Sequence, residues 1–142
     1  MNDRPKRGEV CLFTDGASRG NPGLAGAGVL ITDSDGEPIL EKAVFLGEAT
    51  NNVAEYRALI IGLEELVKLA PRRVAIRMDS ELIVRQINGT YRVRNPGLRP
   101  YYERARQLLA RLERFTLNHV PRGENRHADH LANQAIDEKT QA

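Results

Sequence analysis

Hydrophobic positions along this chain recur with two different periods. Val10 to Asp15, Ala27 to Thr32 and Ile39 to Leu46 are short apolar runs bounded by turn residues, and each predicts a strand. The first is closed by Asp15-Gly16 and a loop of small residues at 17–23. The second and third flank Asp33-Ser34-Asp35-Gly36, whose Asp-Gly pair is a hairpin signal, so the three strands read as an antiparallel meander. After Thr50-Asn51-Asn52 the period lengthens. Tyr56, Leu59, Ile60, Leu63, Leu66 and Val67 form the inner stripe of an amphipathic helix that ends before Pro71. Arg73 to Met78 alternates again as a strand, and Asp79-Ser80 opens a short helix carrying Leu82, Ile83 and Ile87, which Gly89 closes. Beyond the break at Pro96-Gly97, Tyr101, Ala105, Leu108, Leu109 and Leu112 mark a third helix. Phe115 to Val120 is a fifth strand; after Pro121-Arg122-Gly123, Ala128, Leu131, Ala132, Ala135 and Ile136 build the last helix. Met1 to Gly8 and the segment from Asp137 onward read as polar tails.

The resulting order, β-β-β-α-β-α-α-β-α, predicts an α/β fold. Its mixed five-stranded sheet has three antiparallel strands, then strands parallel to the first, with helices on both faces. The 142 residues form one domain, with a core at about 8–137, large enough to fold without a metal or disulfide. A single Cys excludes an intrachain disulfide or a Cys-based zinc cluster and fits a reducing compartment. No apolar run approaches the roughly 20 residues of a membrane span, and the first residues lack the apolar stretch of a signal peptide. The expectation is a cytoplasmic monomer with no membrane partner.

A net charge of +2 is too small to name a partner, but its distribution is uneven. Between Gly89 and Arg114 there are seven arginines and two glutamates, while the remainder is net acidic. That segment reads either as a phosphate-binding surface beside a cation-binding one or as an ordinary solvated helix face.

Four acidic residues occupy positions that solubility does not require. Asp15 ends the first predicted strand and Asp79 the fourth, and ligands of open sheets sit outside the carboxyl ends of parallel strands. Glu55 lies one turn before Leu59 on an inward stripe, and Asp129 precedes Ala132 and Ile136 on the flank of another. Each alone also fits turn or capping chemistry. Together they place converging negative charge in a semi-buried site, which is costly unless neutralised, and all-oxygen ligation favours Mg2+ or Mn2+ over zinc.

The segments FTDGASRGNPG at 13–23, TNNVAEYRAL at 50–59, MDSELIVRQINGTY at 78–91 and ENRHADHLAN at 124–133 carry a resemblance. In this order the chain resembles type 1 ribonuclease H over roughly Gly8 to Ile136, in the form lacking a basic protrusion. The resemblance implies that Asp15, Glu55, Asp79 and Asp129 bind two Mg2+ ions, with Mn2+ as a substitute, and hydrolyse the RNA strand of an RNA–DNA hybrid. The products would carry 5′-phosphate and 3′-hydroxyl ends. It also implies that Asn51, with Asn21 beside it, contacts the minor groove, and that Thr50, Asn52 and Ser80 hold a phosphate of the DNA strand. Better-known members carry a His on the loop before the last helix. Here that loop is Pro121 to Glu124, and Arg122 is the residue placed to fill the role. His119, His127 and His130 read as surface or packing residues. Two alternatives stand beside this reading: a catalytically silent nucleic-acid-binding module, and another two-metal nuclease of the same fold.

Overall fold

The computed structural model describes residues 8–140 and follows the predicted order. The strands are β1 (Glu9–Gly20), β2 (Gly23–Asp33), β3 (Pro38–Ala49), β4 (Arg73–Met78) and β5 (Phe115–His119). The helices are α1 (Asn51–Leu69), α2 (Glu81–Ile87), α3 (Arg99–Leu109) and α4 (Arg126–Thr140), with a 3-10 turn at Arg122–Glu124. The five strands form one sheet in the order β3-β2-β1-β4-β5. β2 is antiparallel to β1 and β3, whereas β4 is parallel to β1 and β5 parallel to β4. The central position of β1 follows from the two kinds of connection. Short turns join the meander, and the longer α1 crossover returns β4 to the far side of β1.

The principal core lies between the sheet and the layer of α1, α2 and α3. Leu12, Tyr56, Leu59, Leu63, Ile76 and Met78 are fully buried there, each such burial worth about 1.5–3 kcal/mol. α1 is capped by Thr50, whose Oγ1 accepts the Val53 N–H at 3.3 Å, and ends at Ala70 with φ 52°. Among the described residues, α4 alone packs on the opposite face, through Ala128, Leu131, Ala132, Ala135 and Ile136. It covers β1 to β3 and leaves Arg77, Thr116 and Asn118 exposed, so helical cover of that face is partial.

Several boundaries differ from the sequence reading. The small-residue segment after Asp15 is not a loop: β1 continues to Gly20, pairs with β2 down to Gly20 opposite Gly23, and only Asn21 and Pro22 form the turn. Glycine, alanine and serine weaken a strand in isolation, but here the β2 ladder supplies the order. The segment from Asp137 continues α4 to Thr140, held by an Arg19–Asp137 ion pair at 2.7 Å and a Gln134–Glu138 hydrogen bond at 2.9 Å. Of the proposed N-terminal tail, residues 1–7 lie outside the described residues. Gly8 is buried, and its carbonyl accepts the Arg73 N–H at 2.8 Å.

The arginine-rich segment does not form one phosphate-binding surface. Arg106 Nη1 donates to the Ile87 carbonyl at 2.9 Å, closing the end of α2, and Arg104 pairs with Glu64 of α1 at 3.5 Å. These two tie α3 to its neighbours. Arg92, Arg94 and Arg99 line a separate groove beside α2, and Arg114 lies near Arg72 and Arg73 at the other end of the molecule.

Candidate active site

Asp15 lies one residue beyond the last β1–β4 pair, Thr14 with Met78, so its side chain stands where the parallel ladder has ended. It pairs instead with Gly28 of β2. Asp79 directly follows Met78 and precedes Ser80, the N-cap of α2, whose Oγ accepts the Ile83 N–H at 3.4 Å. Glu55 comes from α1, which approaches β1 so closely that a Cβ on Gly16 would overlap the main chain of Ala54 and Glu55. Absence of a side chain at 16 therefore sets the height of Glu55 above the strand. The Gly16 N–H then donates to Glu55 Oε1 at 3.0 Å.

Oxygens of Asp15, Glu55 and Asp79 lie within 4.8 Å of one another. The fourth expected carboxylate, Asp129 in the first turn of α4, lines the same cleft but stands outside that close triad. The cleft has a volume of about 510 Å3, and Asn51, Asn52, Ser80, Arg122 and Asn133 also border it. Two other sequence-derived candidates lie outside that lining. Thr50 spends its hydroxyl on the α1 cap, and Asn21 Oδ1 accepts the Asn51 N–H at 3.0 Å, fixing the β1–β2 turn against the start of α1. His119, His127 and His130 are exposed and do not line the cleft; His127 pairs with Glu41 at 3.0 Å.

Electrostatics within the cleft are strained. Burial, then the charge of Glu55, a side-chain hydrogen bond with Asp129 and the charges of Asp79 and Asp129 push the Asp15 carboxyl up to about 10. Burial and the charge of Asp79 push Glu55 up to about 8, against the opposing pull of the Gly16 N–H, the Asp15 side chain and Arg122. Among the described residues no Lys or Arg nitrogen comes within 4.0 Å of the triad oxygens. The hard oxygen donors, the absence of Cys or His from the lining and the uncompensated negative charge fit a divalent cation.

Two residues of this site had no role assigned from sequence. Asn125 Nδ2 donates to the Thr14 carbonyl at 2.9 Å and to Asp79 Oδ2 at 3.3 Å. Asn133 Nδ2 donates to the carbonyl and Oδ1 of Asp129 at 3.0 and 3.3 Å, while its own Oδ1 accepts from Arg19 at 3.1 Å. Both lie in the segment 124–133, and their positions before and one turn after Asp129 were the available signal.

Fold and site together define an α/β domain that gathers carboxylates for a hard divalent cation at the ends of two neighbouring parallel strands. A family model described as "Reverse transcriptase-like" matches residues 13–135. A ribonuclease HI of Halobacterium salinarum is 42% identical over 95% of this chain and 68% of its own length. The crystal structure of RNase H1 from that archaeon superposes with a TM-score of 0.89, covering 92% of this chain and 99% of its own. LC11-RNase H1, solved in complex with an RNA/DNA hybrid, is 45% identical with a TM-score of 0.87, over 92% of this chain and 99% of its own. A bifunctional protein of Mycobacterium tuberculosis is 44% identical over 94% of this chain, which spans only 37% of that protein's length. The chain belongs to the ribonuclease H family.

Proposed function

We propose that this domain hydrolyses the RNA strand of RNA–DNA hybrids, using Mg2+ held by Asp15, Glu55, Asp79 and Asp129. The observation that carries the reading is the convergence of Asp15, Glu55 and Asp79 within 4.8 Å, with Asp129 on the same cleft and, among the described residues, no Lys or Arg ion-paired with the triad. The relatives named as ribonucleases H and the neighbour bound to a hybrid support the substrate class. Two bound cations supply the activation of water and the neutralisation of phosphate charge, a task Mn2+ can also perform.

This chain's residues do the rest. Asp15 and Glu55 release their protons as they take up the role of ligands, and the Gly16 N–H keeps one Glu55 oxygen in place. Asn51, Asn52 and Ser80 border the cleft as hydrogen-bonding groups for the sugar-phosphate backbone, with Asn51 set by Asn21 to meet a ribose hydroxyl. Thr50 acts through the α1 cap that orients this pair. Arg122, on the loop where other members carry a His, is the cationic side chain lining the cleft among the described residues, and it meets the scissile phosphate. No Ser or Cys nucleophile is needed; Cys11 lines a different depression. The products carry 5′-phosphate and 3′-hydroxyl ends, and the domain works as a cytoplasmic monomer.

The test is a cleavage assay on hybrid, duplex DNA, duplex RNA and single strands, with Mg2+ and with Mn2+. Metal-dependent cuts confined to ribose in the hybrid are expected. Equal cleavage of duplex DNA, or no cleavage of any substrate, rejects the proposal.

A further inference from the structure

We infer that Asn125 is a positioning residue for the carboxylate cluster, its amide joining three of the four acid-bearing segments. Asn125 lies between the 3-10 turn and α4 and is 1% exposed. Its Nδ2 reaches the carbonyl of Thr14, the residue before Asp15, and the carboxylate of Asp79 itself. Its own carbonyl accepts the Asp129 N–H at 3.1 Å. One side chain and one main-chain group thus connect the strand of Asp15, the Asp79 carboxylate and the first turn of α4.

Chemistry dictates the amide's direction, since both groups it faces are acceptors and only an NH2 fits between them. The opposite atom, Oδ1, is buried with no hydrogen-bond partner among the described residues, a cost that a residue chosen for packing alone would avoid. An aspartate here would set a second carboxylate against Asp79, and an apolar residue would take this donor away from both acceptors. Asparagine supplies two protons and adds no charge. A neutral donor that commits one oxygen of Asp79 restricts that carboxylate's rotation and leaves Oδ1 for a cation. Outer partners of this kind set metal affinity in other sites. The inference rests on the metal-site reading proposed above.

Calorimetric titration with Mn2+ alone, on wild type, Asn125→Ala and a control in the adjoining α4, Ile136→Val, tests this. Asn125→Ala should bind Mn2+ about tenfold more weakly and lose kcat on hybrid at saturating metal, with KM moving less than about twofold. Ile136→Val should lower the Tm without changing Mn2+ affinity. A folded Asn125→Ala that binds Mn2+ as wild type does overturns the inference. If the variant does not fold, NMR of the wild type decides. The Asn125 side-chain amide must shift on adding Mg2+ with the midpoint shown by the Gly16 and Ser80 main-chain amides. An Asn125 signal that stays still while those two move overturns it equally. A wild type that binds no Mn2+ rejects the metal-site reading itself and this inference with it.

Discussion

Gly28 stands directly opposite Asp15 in the β1–β2 ladder, and a Cβ at that position would overlap the main-chain oxygen of Ala128 in α4. Gly16, one residue after Asp15, bears the same relationship to α1 on the other face. The two contacts press a helix onto each side of the sheet at the level of Asp15, bringing Glu55 from above and Asp129 from below. Close helix–strand approach, and not any attraction among the acids, is what assembles the site.

Gly28→Ala should therefore force α4 outward. The expected loss is about 1–3 kcal/mol in urea denaturation, together with reduced turnover as Asp129 moves away. Wild-type stability in that variant would show that α4 yields without cost.

Asp15→Asn removes the most strongly perturbed acid. Turnover on hybrid in Mg2+ should fall on the order of a thousandfold or more, as loss of several kcal/mol of metal-borne stabilisation implies. Its Tm in EDTA should equal or exceed the wild-type value, because burial already disfavours the ionised carboxyl. Near-normal turnover would remove Asp15 from the ligand set.

Stability without metal should depend on pH through Asp15 and Glu55, raised from ordinary values of 3.8 and 4.5 to about 10 and about 8. A raised pKa means the native state keeps protons that the unfolded chain releases. Their contribution is complete below about pH 4 and declines as pH rises through both folded values. The Tm in EDTA should fall from about pH 6 to about pH 9, and saturating Mg2+, which displaces those protons, should flatten the decline. A metal-free Tm that is level or rising over that range contradicts the assignment.

Arg106→Ala should lower stability by about 1 kcal/mol, since it exposes the Ile87 carbonyl at the end of α2. The salt dependence of KM should not change, because this guanidinium is committed to the fold. A flatter salt slope would instead assign it to a phosphate.

Arg122→Ala should reduce kcat/KM on hybrid while Mn2+ binding stays equal or tightens. The arginine repels a cation and attracts a phosphate, so the two effects have opposite signs. Weaker Mn2+ binding in that variant would mean that Arg122 organises the carboxylates and does not serve the substrate.

Much of this was legible in the chain itself. The change from period-two runs to the stripe at Tyr56, Leu59 and Leu63, the Asp-Gly hairpin and the glycine after Ile87 predict the element order, because they depend on neighbours a few residues away. The same local logic marks Asp79 at the end of β4 and Glu55 on an inward face, and the four motifs in order point to the family. Only the tertiary structure decided that β1 runs on to Gly20, that Arg106 serves α2, that Asp129 stands outside the close triad, and that Asn125 grips Asp79. These depend on which segments meet across long sequence separations and on how far burial removes a group from water. The periodicity of the chain encodes which side of an element faces inward; what it meets there, and at what distance, is determined by packing.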